Sequence, residues 1–309
     1  MYTSRKLSPY FSLPIMNNTL KKKSSKERIT IVMVPYEQYS TFPKAVDMLY
    51  KNTVHPFYLI VVEGNAPGAI KSALEKRTQF HKNIKIIYTN HLPLAGEAYN
   101  LARPHLRTSW AFFMHNDLQV TSGWLSKLIE CAKTRNVEIV CPVIESAEGS
   151  THTPDTDHGL QSISGINMHG FLISKKALEK LGGFEENISP FMNGLDLSLK
   201  AKSHGILIFI DTDTVLKRNF PPSKKSADLL LFNSQWDKEL AKKSFGYFRE
   251  KWNLDLDEKS YLHWLEYKRE RPVQASPLSS LRGFGNDLQS KAGFVRIKIR
   301  RLLDIFISL

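Results

Sequence analysis

The chain has 309 residues, 42% hydrophobic and 24% charged, with a formal net charge of +13. That size allows one large domain with an appendage, and the composition is that of a globular protein rather than a disordered or fibrous one. No apolar run reaches the ~18 residues of a spanning helix, and the N-terminal stretch lacks the apolar core of a signal peptide. The two cysteines, Cys131 and Cys141, fit a reduced, cytoplasmic setting better than a disulfide framework. The positive charge points to an acidic partner or to a merely solvated basic surface. It is concentrated at Lys21–Lys23 with Lys26 and Arg28, and at Arg296, Lys298, Arg300 and Arg301.

Residues 1–27 read as a flexible basic tail. Ile29–Val34 is apolar on both faces and predicts a buried strand. A helix follows from Phe42 to Tyr50, then a strand over Phe57–Val62 ending at Glu63-Gly64-Asn65. Next come a helix from Ala69 to Phe80, a strand over Ile84–Tyr88 and a short helix over Gly96–Ala102. Trp110–Met114 is a fourth strand, followed abruptly by polar His115-Asn116-Asp117. Leu125–Lys133 predicts a helix and Val137–Val140 a strand. Glu145–Ser164 is polar and reads as a surface loop, and its His152 and His158 as solvated. Gly170–Ile173 is a strand, Lys176–Leu181 a helix ended by Gly182-Gly183, Leu195–His204 a helix and Ile206–Ile210 a strand.

This alternation predicts an α/β fold, a mostly parallel Rossmann-like sheet flanked by helices. After Pro221-Pro222 the pattern becomes helical and aromatic-rich to Glu270. A Pro/Ser-rich link then leads to Lys291–Leu309, whose mixed apolar and basic residues could lie on an anionic membrane surface or cap the core. The expected division is a tail at 1–27, an α/β domain at 28–225 and a helical region at 226–309.

Acidic residues at the carboxyl ends of such strands sit where open α/β sheets bind ligands. The turn after the first strand, from Pro35 to Ala45, contains no glycine, which argues against a dinucleotide cofactor. No RNP-like, zinc-finger or helix-turn-helix pattern is present, so nucleic acid is not an expected partner.

Several short motifs, in order, resemble one family. They are Val34-Pro35-Tyr36-Glu37 after the first strand, Val61-Val62-Glu63-Gly64 at the end of the second, and Gly96-Glu97-Ala98-Tyr99-Asn100. His115-Asn116-Asp117 then stands in place of an Asp-x-Asp metal motif, followed by Gly123-Trp124-Leu125. Farther on come GFLISKKALEKLGGFEE, DLSLKAKSHG and Phe248-Arg249-Glu250-Lys251-Trp252. Over about 225 residues this order is similar to that of the family 2 glycosyltransferases with the GT-A fold.

The resemblance implies an inverting, metal-assisted transferase moving a sugar from a nucleotide-diphospho-sugar, UDP-linked, to a glycan or lipid-linked acceptor. It implies Asp117 as ligand to Mn2+ or Mg2+, with His115 in the place of the first motif residue. Pro35, Tyr36, Glu37, Glu63, Asn100 and Asn116 become candidates for holding the donor. Such chemistry suits these groups, because a divalent cation neutralises the diphosphate leaving group and carboxylates accept from ribose hydroxyls or base N–H groups.

One departure concerns the base that takes the acceptor's proton. Aligned on Asp196–Ala201, Asn193-Gly194 stands where the family carries a Glu-Asp pair. Asp196 is the candidate in its place, with Glu185 or Glu186 as alternatives. Asp196 could equally cap its helix, and a donor-binding protein without turnover remains the rival reading. Asp211-Thr212-Asp213 reads as a turn or cap. The resemblance sets Lys217-Arg218-Asn219 where some relatives place a metal-binding histidine, and implies that a basic side chain could pair with the diphosphate there instead.

Overall fold

The computed structural model describes residues 27–146, 149–150, 159–188, 190–218 and 225–270. The tail to residue 26, His152 and His158, the Pro/Ser-rich link and Lys291–Leu309 lie outside the described residues.

The chain alternates as expected: β1 (Ile29–Val34), α1 (Phe42–Asn52), β2 (Phe57–Val62), α2 (Gly68–Phe80), β3 (Ile84–Ile87), α3 (Ala95–Ala102), β4 (Trp110–His115), β5 (Leu118–Gln119) and α4 (Trp124–Thr134). There follow β6 (Ile139–Ser146), β7 (Gly149–Ser150), β8 (Leu160–Ile163), β9 (Gly170–Ser174), α5 (Lys175–Lys180), α6 (Pro190–Ser203) and β10 (Ile208–Arg218). Helices α7 (Ser226–Gln235), α8 (Lys238–Trp252) and α9 (Glu258–Glu270) end the described chain. None of the helices among the described residues is long and apolar enough to cross a membrane.

The strands form one sheet in the order β3-β2-β1-β4-β9-β6-β10-β5. It is mostly parallel at its centre, where β3, β2, β1 and β4 run alike and β6 runs with β10; β9 lies antiparallel between β4 and β6. The last strand in this order, β5, follows β4 in the chain by only two residues. The sheet must therefore curl, bringing its far edge back beside its middle. Apolar side chains fill both faces. Val32, Phe113, Phe171 and Ile208 belong to one layer, and Ile31, Phe112, Leu128 and Leu172 to the other. This two-sided burial is why the central strands read as continuous hydrophobic runs.

Three expectations change. The polar stretch after Glu145 is not wholly loop, because β6 runs on to Ser146 and β7 and β8 add short antiparallel pairs to β6 and β10. Helix α6 begins at Pro190, so Asp196 lies inside it and caps nothing. Asp211-Thr212-Asp213 does not end its strand. It lies in a bulge of β10, where Asp211 pairs with Pro142 and Val215 with the very next residue, Val143. Asp211 braces that bulge by accepting from Asp213 N (3.2 Å) and Thr214 Oγ1 (2.6 Å).

The C-terminal helices form a third apolar cluster with α6. Met192 and Leu195 pack with Phe245, Phe248, Tyr261 and Leu265.

Candidate functional site

The site is built where β4 stops being apolar. His115 is the last residue of β4, and its backbone N–H donates to His169 O (3.1 Å) just before β9. On the other side, Asn116 N donates to Val34 O (3.1 Å) at the end of β1. Asp117 then sits in the two-residue turn to β5, and β5 pairs with the end of β10 through Leu118↔Arg218. Four strand ends thus meet at one place, which fixes the backbone under every polar group there.

His115 is sandwiched between two tyrosines. Tyr36 stacks on it at 4.5 Å and 9°, and Tyr99 lies parallel behind it at 6.2 Å. Burial pushes its pKa down to about 3, aided by neighbouring His169, so the ring is neutral. His115 Nδ1 lies 3.2 Å from His169 Nδ1, which is in turn 3.4 Å from Asp117 Oδ1. Asp117 is only 4% exposed. Burial alone would raise its pKa, but the Arg218 guanidinium, with help from His169, holds it below the usual carboxylate range. Arg218 Nε donates to Asp117 Oδ2, its Nη2 lies 3.5 Å from Glu37 Oε2, and its guanidinium carbon sits 5.3 Å from the Tyr36 ring centre.

The family model for glycosyl transferase family 2 matches residues 30–184, half of the chain. The chain belongs to glycosyl transferase family 2. No curated protein sequence matches it. Among solved structures, a mannosyltransferase from Pyrobaculum calidifontis in complex with GDP-Man and Mn2+ is similar at 14% identity. That match covers 89% of this chain and 84% of the other, with a TM-score of 0.55. GalNAc-T7 with UDP, GalNAc and Mn2+ is similar at 11% identity and TM-score 0.55, over 87% of this chain; this chain spans 59% of the length of that one. TarS 1-349 of S. aureus in complex with UDP-GlcNAc is similar at 12% identity and TM-score 0.53, over 76% of this chain and 69% of the other. The fold of this family 2 glycosyltransferase is GT-A.

The residues singled out in the sequence fall into three groups. His115, Asp117, Tyr36 and Glu37 come together at the strand ends, and Pro35 lines the adjoining cleft with Leu92, Ala95, Leu231 and Gln235. Asn116 lies behind them. It is fully buried, accepts from Tyr36 N (2.7 Å) and donates to Gln38 O and Thr41 Oγ1. It thereby ties β4 to the β1–α1 loop rather than presenting an amide to the cleft. Glu63 is also fully buried and braces the end of β2, accepting from Ala66 N (2.5 Å) and Thr89 N (3.0 Å).

The third group joins α3, α6 and α8. Asn100 donates to Phe184 O (2.9 Å) and Glu186 Oε1 (2.7 Å) and accepts from Phe184 N (3.1 Å). The Gly-x-Ala-x-Asn motif is a packing device here. A Cβ on Gly96 would lie 2.1 Å from Glu185 O, Ala98 is in the core, and Asn100 secures the same segment. Asp196 is 1% exposed, accepts from Trp252 Nε1 (2.9 Å), and has Lys251 Nζ at 2.7 Å and Lys200 Nζ at 3.4 Å. Lys251 also holds Glu185 at 2.8 Å. At Gly194, where the family carries an acid, a Cβ would lie 2.7 Å from Ile166 O. The backbone before β9 fills that place.

Sequence reading missed His169. Its signal is a mirror of His115: a lone histidine just before the apolar run Gly170–Ile173, as His115 follows Trp110–Met114. The antiparallel register Met114↔Gly170 brings the two together.

His115, Asp117 and His169 each offer one ligand atom, all within 4.8 Å of one another. Among the described residues, His115 Nε2 and Asp117 Oδ1 are buried with no hydrogen-bond partner, so the cluster keeps unused ligand atoms for a cation. Two imidazoles and one carboxylate fit a divalent ion. The set suits Mn2+ better than Mg2+, which prefers oxygen ligands throughout.

Proposed function

We propose that this glycosyltransferase moves a sugar, with inversion, from a nucleotide-diphospho-sugar to a glycan or lipid-linked acceptor. The observation that carries this is the His115–Asp117–His169 cluster at the carboxyl ends of β1 and β4, beside the Pro35 cleft. Two of the three similar structures hold UDP or a UDP-sugar, which favours a UDP-linked donor here. His115, Asp117 and His169 would hold Mn2+, which supplies Lewis-acid neutralisation of the leaving diphosphate.

The chain's own groups do the rest. Burial between Tyr36 and Tyr99 keeps His115 neutral and able to ligate. Arg218 and His169 keep Asp117 ionised. Asn116, Glu63 and Asn100 act by holding loops around the donor cleft. Pro35 lines this cleft, and Tyr36 and Glu37 stand beside it after the end of β1. Asp196 we assign to clamping α6 onto α8, since its carboxylate is buried and engaged by Lys251 and Trp252. The domain division follows the same logic: the sheet holds the donor, and α7–α9 build the acceptor side. The basic residues Arg296, Lys298, Arg300 and Arg301, which lie outside the described residues, would bring the protein to an anionic membrane when the acceptor is lipid-linked.

A thermal-shift screen of UDP- and GDP-sugars with and without Mn2+ tests this reading. Stabilisation by a UDP-sugar that requires Mn2+ is expected. No stabilisation by any nucleotide sugar under either condition would remove the donor site.

A further inference from the structure

The strand ends carry a fixed guanidinium that the metal cluster does not use. Arg218 is the last described residue of β10, paired in register with Leu118 on one side and Ser146 on the other. Its side chain turns back over Tyr36 to Asp117 and Glu37. Both carboxylates belong to the site, and both are buried, while the guanidinium is 21% exposed. Nε and Nη2 are committed to these acids, and Nη1 makes no hydrogen bond to the described residues.

The charges at this spot set what can bind. Asp117 and Glu37 both engage the Arg218 guanidinium. A divalent cation held by His115, Asp117 and His169 would lie beside Arg218, because Asp117 belongs to both sets. The site would then present two adjacent cationic groups. A lone sugar or nucleoside gains nothing from such a pair, whereas a diphosphate presents two adjacent anionic centres.

We propose, resting on the donor reading above, that Arg218 is a ligand of the donor's diphosphate. Its guanidinium, oriented by Asp117 and Glu37, presents Nη1 to a phosphate oxygen beside the metal. It thereby stabilises the charge that grows on the nucleoside diphosphate as the sugar leaves. No proton moves in this role, and the geometry suits arginine rather than lysine because a rigid planar fork can hold Nε and Nη2 against the two acids while Nη1 points elsewhere.

The test uses the full-length protein and three probes: UDP, uridine and Mn2+ alone, each titrated calorimetrically against wild type, Arg218→Gln and Arg218→Lys. Charge-assisted hydrogen bonds of this kind predict that Arg218→Gln weakens UDP binding by about 10- to 100-fold. Uridine should bind the variant as it binds wild type, and Mn2+ at least as tightly, since a neighbouring positive charge has gone. Arg218→Lys, which keeps the charge but not the fork, should fall between and serves if the glutamine variant does not fold. UDP binding unchanged within twofold in either folded variant overturns the assignment and leaves the donor reading standing. Equal loss of uridine and UDP also overturns it, since that marks a structural role. If wild type binds neither UDP nor GDP in the presence of Mn2+, the donor reading itself has failed, and this inference with it.

Discussion

Replacing Asp196 by Asn separates a clamp from a base. The substitution keeps shape and keeps an acceptor for Trp252 Nε1, but it removes the charge facing Lys251 at 2.7 Å and Lys200 at 3.4 Å. Breaking a buried pair by removing one partner costs about 3–5 kcal/mol when the remaining charge is stranded. Here Lys251 keeps Glu185 at 2.8 Å, and both lysine side chains reach water in part, at 22% and 16% exposure. The expected loss is therefore about 2–3 kcal/mol, scaled down from the stranded case. For a domain of this size that lowers Tm by about 4–10 °C. Thermal denaturation of Asp196→Asn, Lys251→Met and the double variant gives the coupling, expected at about 1–2 kcal/mol because the two groups touch. Sugar transfer is measured in parallel, well below the lowest Tm. A fall in turnover of about 1,000-fold or more with an unchanged Tm would refute the clamp and make Asp196 the base, since such losses belong to groups that act in the transition state.

Other consequences can be checked separately. Mn2+ at a hundred times its Kd should stabilise wild type by about 2.7 kcal/mol, and Asp117→Ala by nothing measurable in the same thermal-shift series. Because His169 supplies nitrogen, His169→Ala should weaken Mn2+ binding far more than any residual Mg2+ binding; equal loss of both would mean that His169 is not a ligand. Lys251 holds the Glu185 carboxyl down to about 2 against burial, which would raise it from 4.5. A depressed pKa contributes stability above about pH 4.5, and that stability is lost as pH falls from there toward 2. Glu185→Gln should flatten Tm against pH in that window, and an unchanged slope would count against the ion pair. Gly194→Ala pushes a methyl to 2.7 Å from Ile166 O and should cost about 1–3 kcal/mol by overpacking. A neutral effect on Tm would show that the segment before β9 yields easily.

The elements with the clearest apolar runs were legible in sequence because both faces are buried. Ile29–Val34 and Phe57–Val62 are found to the residue. Asp117 was legible for a related reason: polarity changes sharply after Trp110–Met114, and such a change marks the end of a buried strand. Asn100, Asn116 and Glu63 stood out in sequence, but the loops that each of them holds did not. These partners lie far along the chain, and composition does not name them. His169 was harder still. It is local in sequence to nothing else in the cluster, and the antiparallel register of β4 and β9 brings it there.

The bulge in β10 has a consequence for heredity as well as shape. Thr212–Thr214 have no counterparts on β6, and three is an odd number. Side chains alternate along a strand, so the bulge inverts their phase: Ile208 and Ile210 face one layer, and Leu216, of the same parity, faces the other. Arg218 inherits that inverted phase, while Lys217 points away toward Glu145. Gaining one codon within Thr212–Thr214, with the pairing to β6 kept, would move Lys217 into the place of Arg218 and put an ammonium where a guanidinium now stands. The charge at Asp117 would survive such an event, but the fork that orients it would not.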